Sequence, residues 1–94
     1  DALAAAFSAK HAGQLLYVPE WGHWLRWDGC RWARDTTLAV FDLARSVCRE
    51  AASAAERDKS DGAARLASAA TVSAVERLAR SDRRHARAAD AFDA

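Results

Sequence analysis

Ninety-four residues, 51% of them hydrophobic, can close one modest core but not two, so a single domain over residues 1–94 is expected. Fourteen basic residues against thirteen acidic leave a formal net charge of +1, which excludes a strong overall field and confines any nucleic-acid role to local patches. Cys30 and Cys48 lie far apart, with no C-x-x-C and no paired histidine, which excludes a disulfide framework and a zinc-binding spacing.

The chain opens on Asp1 and contains no methionine, so it reads as a piece excised from a longer protein. Its apolar runs are short and broken by charge, and neither a membrane span nor a secretory leader is expected. From Asp1 to Ala12 an Ala-rich stretch sets Leu3 and Phe7 one helical turn apart and meets Gly13, a natural stop, which predicts a short helix.

Leu15 to Arg34 then hold the only Tyr, all four Trp and the only Pro, a composition that predicts short strands between turns. Pro19, Glu20 and Gly22 make the first turn. Asp28-Gly29 makes the second, read as the two central residues of a type I′ hairpin, which sets Trp27 opposite Cys30 and Leu25 opposite Trp32. Alternation groups Leu25, Trp27, Cys30 and Trp32 on one face, expected to be core, and Trp24, Arg26 and Arg31 on the other, expected to be a wet aromatic and cationic surface.

After Asp35, Thr36 and Thr37, any of which can cap, residues 38–57 place Val40, Leu43, Ala44, Val47, Cys48, Ala51 and Ala55 on one helical stripe. Asp42, Arg45 and Arg49 form a solvated ladder opposite. Residues 56–62 are a polar linker in which Ser60 or Asp61 can cap a short Ala-rich helix over 61–69. A further helix carries Val72, Val75, Leu78 and Ala79, and Asp82 would fall inside its apolar stripe, so a break there, with Ser81 capping another helical segment, is expected. These elements make an α+β domain, a small antiparallel hairpin or three-stranded meander packed on four to five helices.

The run Tyr17-Val18-Pro19-Glu20-Trp21-Gly22-His23-Trp24-Leu25-Arg26-Trp27-Asp28-Gly29-Cys30-Arg31-Trp32 resembles the opening of the N-terminal domain of poxvirus-type primase-helicases, as found in phage and plasmid primases. Phe41-Asp42-Leu43-Ala44-Arg45, Cys48-Arg49-Glu50-Ala51, Ser68 to Val72 and Val75 to Arg80 are similar to the family's later helical signatures, and Phe92-Asp93 to the segment leading toward the motor. One departure stands at the start, where Leu3 occupies the place of a frequent Asn. The resemblance implies a parent with a superfamily-three AAA+ helicase after this domain and often a primase before it, working as a homo-oligomeric ring in phage, prophage or plasmid replication in the bacterial cytoplasm. The partners it implies are those adjacent helicase and primase modules, and DNA held weakly and without sequence preference.

The residues themselves carry no phosphate loop of the G-x-x-x-x-G-K-[ST] kind and no clustered metal-binding carboxylates, so no catalytic residue, metal or cofactor is expected in this piece. His11, His23 and His85 sit near no nucleophile motif and read as ordinary surface histidines. Two Arg-rich places are candidate nucleic-acid contacts: Arg26 and Arg31 beside Trp24, and Arg77, Arg80, Arg84 and Arg87 in a run that also holds Arg83 against Glu76 and Asp82. Each has a plainer reading, Trp24 as core and the Arg run as solubilising or ion-paired side chains. A rival to DNA contact is a pure interaction module, its small residues Ala44, Ala51 and Ala55 packing closely against a neighbouring protein.

Overall fold

In the computed structural model, residues 2–58 and 62–92 are described. The order is α1 (Ala2–Lys10), β1 (Leu15–Val18), β2 (His23–Trp27), β3 (Trp32–Arg34), α2 (Ala39–Arg57), α3 (Ala63–Leu66), α4 (Ala69–Ala79) and a final 3-10 turn, Ala89–Phe92. The strands form an antiparallel meander in the order β1-β2-β3. The α+β class is therefore as the sequence indicates. The expected caps Ser60 and Asp61, and Asp93 of the segment leading onward, lie outside the described residues.

α1 stops where predicted, with Gly13 at φ 80 past its end. α2 begins at Ala39 because Asp35 reaches forward: its Oδ1 accepts from the amides of Thr37 and Ala39, and its Oδ2 from that of Val40 at 3.0 Å. Leu38, at the cap position, is held at φ 58, the only described residue other than glycine with positive φ. Ser68 caps α4 through the amide of Thr71.

Two corrections concern the hairpin. Its register is Trp27↔Trp32 and Leu25↔Arg34, two residues away from the expected pairing. Asp28 is the first residue of the turn, not a central one: its Oδ1 accepts from the amides of Cys30 and Arg31, and its own amide donates to the Arg31 carbonyl. Gly29, at φ 103, and Cys30 become the central pair, with positive φ at the first alone.

A two-residue slip keeps the grouping of the strand side chains by face, and Leu25 is buried while Arg26 and Arg31 are exposed as expected, but Trp24 and Trp27 exchange places. Trp24, with Tyr17 and Leu15, enters the main core with Phe7, Val40, Ala44, Val47, Cys48, Val72, Val75 and Ala79 from the three longer helices. Trp27, expected inside, is 40% exposed. The Leu25 face builds a smaller cluster with Leu16 and Val18, against which Trp32, Ala89 and Phe92 pack. Helices α1, α2 and α4 bury stripes of Phe7, Val40, Ala44, Val47, Val72 and Val75, and a sheet of three short strands needs that cover on the face bearing its largest ring.

α4 ends at Ala79, so the break before Asp82 is present. No helix capped by Ser81 comes after it. Asp82 folds the chain back by accepting from the amide and guanidinium of Arg84, and residues 85–87 then run along the free edge of β1: Tyr17 N–H donates to the His85 carbonyl, and Arg87 N–H to the Tyr17 carbonyl, both at 2.9 Å. The edge strand is thereby covered by a short parallel addition.

Candidate nucleic-acid interface

Glu76 lies on α4 between Val72 and Ala79, within the apolar stripe, and is 3% exposed. A buried carboxylate needs partners of matching chemistry. It has two. The Trp24 indole N–H donates to Oε2 at 2.8 Å, and the Arg80 guanidinium donates through Nε to Oε2 at 2.6 Å and through Nη2 to Oε1 at 2.8 Å. The Arg80 guanidinium also lies over the Tyr17 ring, 5.3 Å from its centroid. The Glu76 hydrogen bond, opposed by partial burial, raises the Arg80 pKa.

Two residues expected on separate DNA-contacting surfaces are thus joined in one internal network. Trp24 is 7% exposed, packed edge-on to Tyr17 and His85, and offers no ring face for a base. Arg26 is exposed, opposite Leu15 and Ala33 in the sheet register. Arg31 stands at the hairpin turn with its side chain 84% exposed and Asp28 at 3.8 Å. Arg77 is exposed on α4. Arg84 is committed to both oxygens of Asp82, which holds that carboxyl well below the usual range, and Arg87 donates to the carbonyls of Arg83 and Ala86. Because α4 ends at Ala79, the Arg77 to Arg87 run does not share one helical flank; of the expected contacts, Arg26 and Arg77 are exposed with no ion pair among the described residues, and Arg31 is exposed with only the 3.8 Å approach to Asp28.

His85 is fully buried, contrary to its reading as a surface histidine. Its Nδ1 lies 2.9 Å from the Leu15 carbonyl, and since a carbonyl only accepts, Nδ1 carries the proton and Nε2 is left as a buried acceptor with no partner among the described residues. Burial pushes the imidazole pKa below its ordinary value. Among the described residues no group of three or more His, Cys, Asp or Glu could hold a metal ion, and no helix is long and apolar enough to cross a membrane.

The sheet, the helical cover and the returning C-terminal segment all fall within the reach of one sequence family: the model described as D5 N terminal like matches residues 4–94. The chain belongs to that family. D5 N terminal like domains are found in phage and viral primase-helicase proteins, which makes this an N-terminal-type domain of a DNA-replication protein. No curated protein and no solved structure matches the chain.

Within this D5 N terminal like domain, sequence reasoning missed the buried place of Glu76 and the exposure of Trp27. For Glu76 the signal was present, since position 76 falls four residues after Val72 and three before Ala79, on the buried side of α4. The exposure of Trp27 was missed because alternation alone does not tell which of two apolar faces the helices will cover.

Proposed function

We propose that this chain is a non-catalytic accessory domain of a phage- or plasmid-type replicative primase-helicase, lying ahead of the ATP-driven motor and coupling DNA or neighbouring modules to it. The observation that carries the reading is the family match over residues 4–94. The use made of the polar groups supports it: Glu76 ties Trp24 to Arg80, Asp35 caps α2, Asp82 anchors Arg84, and His85 holds the Leu15 carbonyl. Each is engaged in holding the fold. DNA contact falls to exposed guanidiniums such as Arg26, Arg31 and Arg77, which meet phosphates without reading bases, so binding is weak and salt-sensitive in one copy and gains strength when copies act together in a ring.

The test is removal of this domain from the full-length protein, with paired assays of ATP hydrolysis and strand separation. The coupling reading expects hydrolysis to persist while strand separation per ATP falls steeply; an unchanged ratio overturns it.

A second reading, docking of a neighbouring protein module, is favoured by Leu38, 72% exposed, and Leu78, 46% exposed. Of the stripe Ala44, Ala51 and Ala55, Ala44 is wholly buried inside the domain, which leaves the half-buried Ala51 and Ala55 for such a contact.

A further inference from the structure

We propose that the second face of the sheet is a stacking surface for unpaired nucleotides, with Trp27 and Trp32 as the base platform and Arg31 and Arg34 as the phosphate contacts. The proposal deepens the accessory-domain reading, on which it rests only for the presence of single-stranded DNA.

The register sets the arrangement. Trp27 lies opposite Trp32, and Leu25 opposite Arg34, so strand alternation puts Leu25, Trp27, Trp32 and Arg34 on the same side of β2 and β3. Further along that side, Leu16, Val18 and Leu25 are buried beneath Ala89 and Phe92. At the hairpin end the cover stops. Trp32 is half-buried against the cluster, and Trp27 meets it edge to face, with centroids 5.4 Å apart, while remaining 40% exposed. One indole is braced by the core and it braces the other, which gives a wide apolar surface with little side-chain freedom left to lose on binding.

The charge around this pair chooses the occupant. Arg34 shares the side of Trp32, and Arg31 stands in the turn beside the pair with its side chain 84% exposed, while Arg26 points from the opposite face; the single carboxylate between positions 26 and 34 is Asp28, whose Oδ1 accepts from two backbone amides and whose Oδ2 lies 3.8 Å from Arg31 Nε. Aromatic rings beside outward guanidiniums suit a ligand that presents flat π-faces along a chain of negative charges, which is a single strand of nucleic acid; a duplex keeps its base faces stacked on one another. A second aromatic stack, Trp21 on His23, stands at the other end of β2, roughly 13 Å away at about 3.3 Å per residue, beyond the cover of Ala89 and Phe92, whose ring lies 5.5 Å from that of Trp21.

The experiment uses the full-length protein and a thymidine oligonucleotide carrying 5-iodouracil, irradiated at two salt concentrations and digested with trypsin. Adducts are expected on the peptides Trp27–Arg31 and Trp32–Arg34, which trypsin releases separately. Trp27→Ala should abolish both adducts and weaken single-strand binding about tenfold while duplex binding is unchanged. Arg31→Ala with Arg34→Ala should weaken it and reduce the salt slope. Cys30, exposed at the turn while Cys48 is buried, supplies a footprint: its alkylation should slow when the oligonucleotide is bound.

Adducts confined to other peptides, equal protection of Cys30 by duplex and single strand, or undiminished single-strand binding by Trp27→Ala would overturn the stacking surface. Loss of subunit or module association in Trp27→Ala with DNA crosslinking intact would overturn it in favour of a protein partner. None of these outcomes bears on the domain-removal ratio, so the two readings fail separately.

Discussion

At Trp24 one indole N–H meets a carboxylate that has almost no contact with water, and the same carboxylate holds a guanidinium that is itself nearly half exposed. The arrangement makes Arg80 a structural residue first. Arg80→Ala would leave Glu76 with the indole alone, and the loss should be about 1–3 kcal/mol in denaturant unfolding, with Arg80→Lys recovering only part because an ammonium cannot form the two-pronged contact. Equal stability of Arg80→Ala and the parent would contradict this role. A loss of DNA affinity in an Arg80 variant therefore says nothing about phosphate contact until its folding has been measured.

His85 makes a pH-dependent contribution whose direction comes from its burial. Burial, only partly offset by the Leu15 carbonyl, depresses the imidazole below its ordinary 6.5. The unfolded chain accordingly takes up a proton near that pH which the folded chain refuses, so stability is full above 6.5 and falls as the pH drops toward the folded value. Burial displaces His11 the same way and adds to the slope. Unfolding measured over a pH series should show this decline, and His85→Phe should flatten it, leaving the His11 part; an unchanged slope would be the opposite result. Asp28 and Asp82 act in a separate, more acidic window, since their depressed values contribute stability that is lost only as the pH falls below 3.8.

At the scale of elements, the helices were legible because their stripes recur at helical spacing: Val40, Ala44, Val47 and Cys48 lie inside as read, with Ala52 taking the buried place expected of Ala51. Asp35 was one of three candidate caps, and the backbone settles the choice, because its carboxylate serves the amides of Thr37, Ala39 and Val40 at once. Burial raises its pKa and those amides more than reverse the effect. Asp35→Ala should cost about 0.5–2 kcal/mol in thermal or denaturant unfolding, while Thr36→Ala should cost almost nothing. A larger loss at Thr36 would move the cap. The hairpin was legible in kind but not in register, since Asp-Gly fits either the centre of one turn or the first two positions of another, and only the hydrogen bonds of the Asp28 side chain decide between them. The end of α4 was legible from Asp82, yet the extended path of residues 85–87 was not, because an edge strand is completed by contacts seventy positions apart along the chain.

For the molecule as a whole, one short sheet does two jobs with its two faces. The Trp24 face is enclosed by α1, α2 and α4, and the Leu25 face is closed only in part by the returning segment, leaving Trp27 and Trp21 outside. Which tryptophans serve folding and which remain for contact is thus set by where the helices land, a tertiary outcome that alternation along Trp24, Leu25, Arg26 and Trp27 does not encode. The most direct measurement is a paired one, denaturant unfolding of Trp24→Ala and Trp27→Ala beside the parent. Trp24→Ala should lose about 3–5 kcal/mol, and Trp27→Ala less than about 1.5 kcal/mol while carrying the deficit in single-strand binding. Equal losses, or a larger loss at Trp27, would contradict the assignment of the two faces.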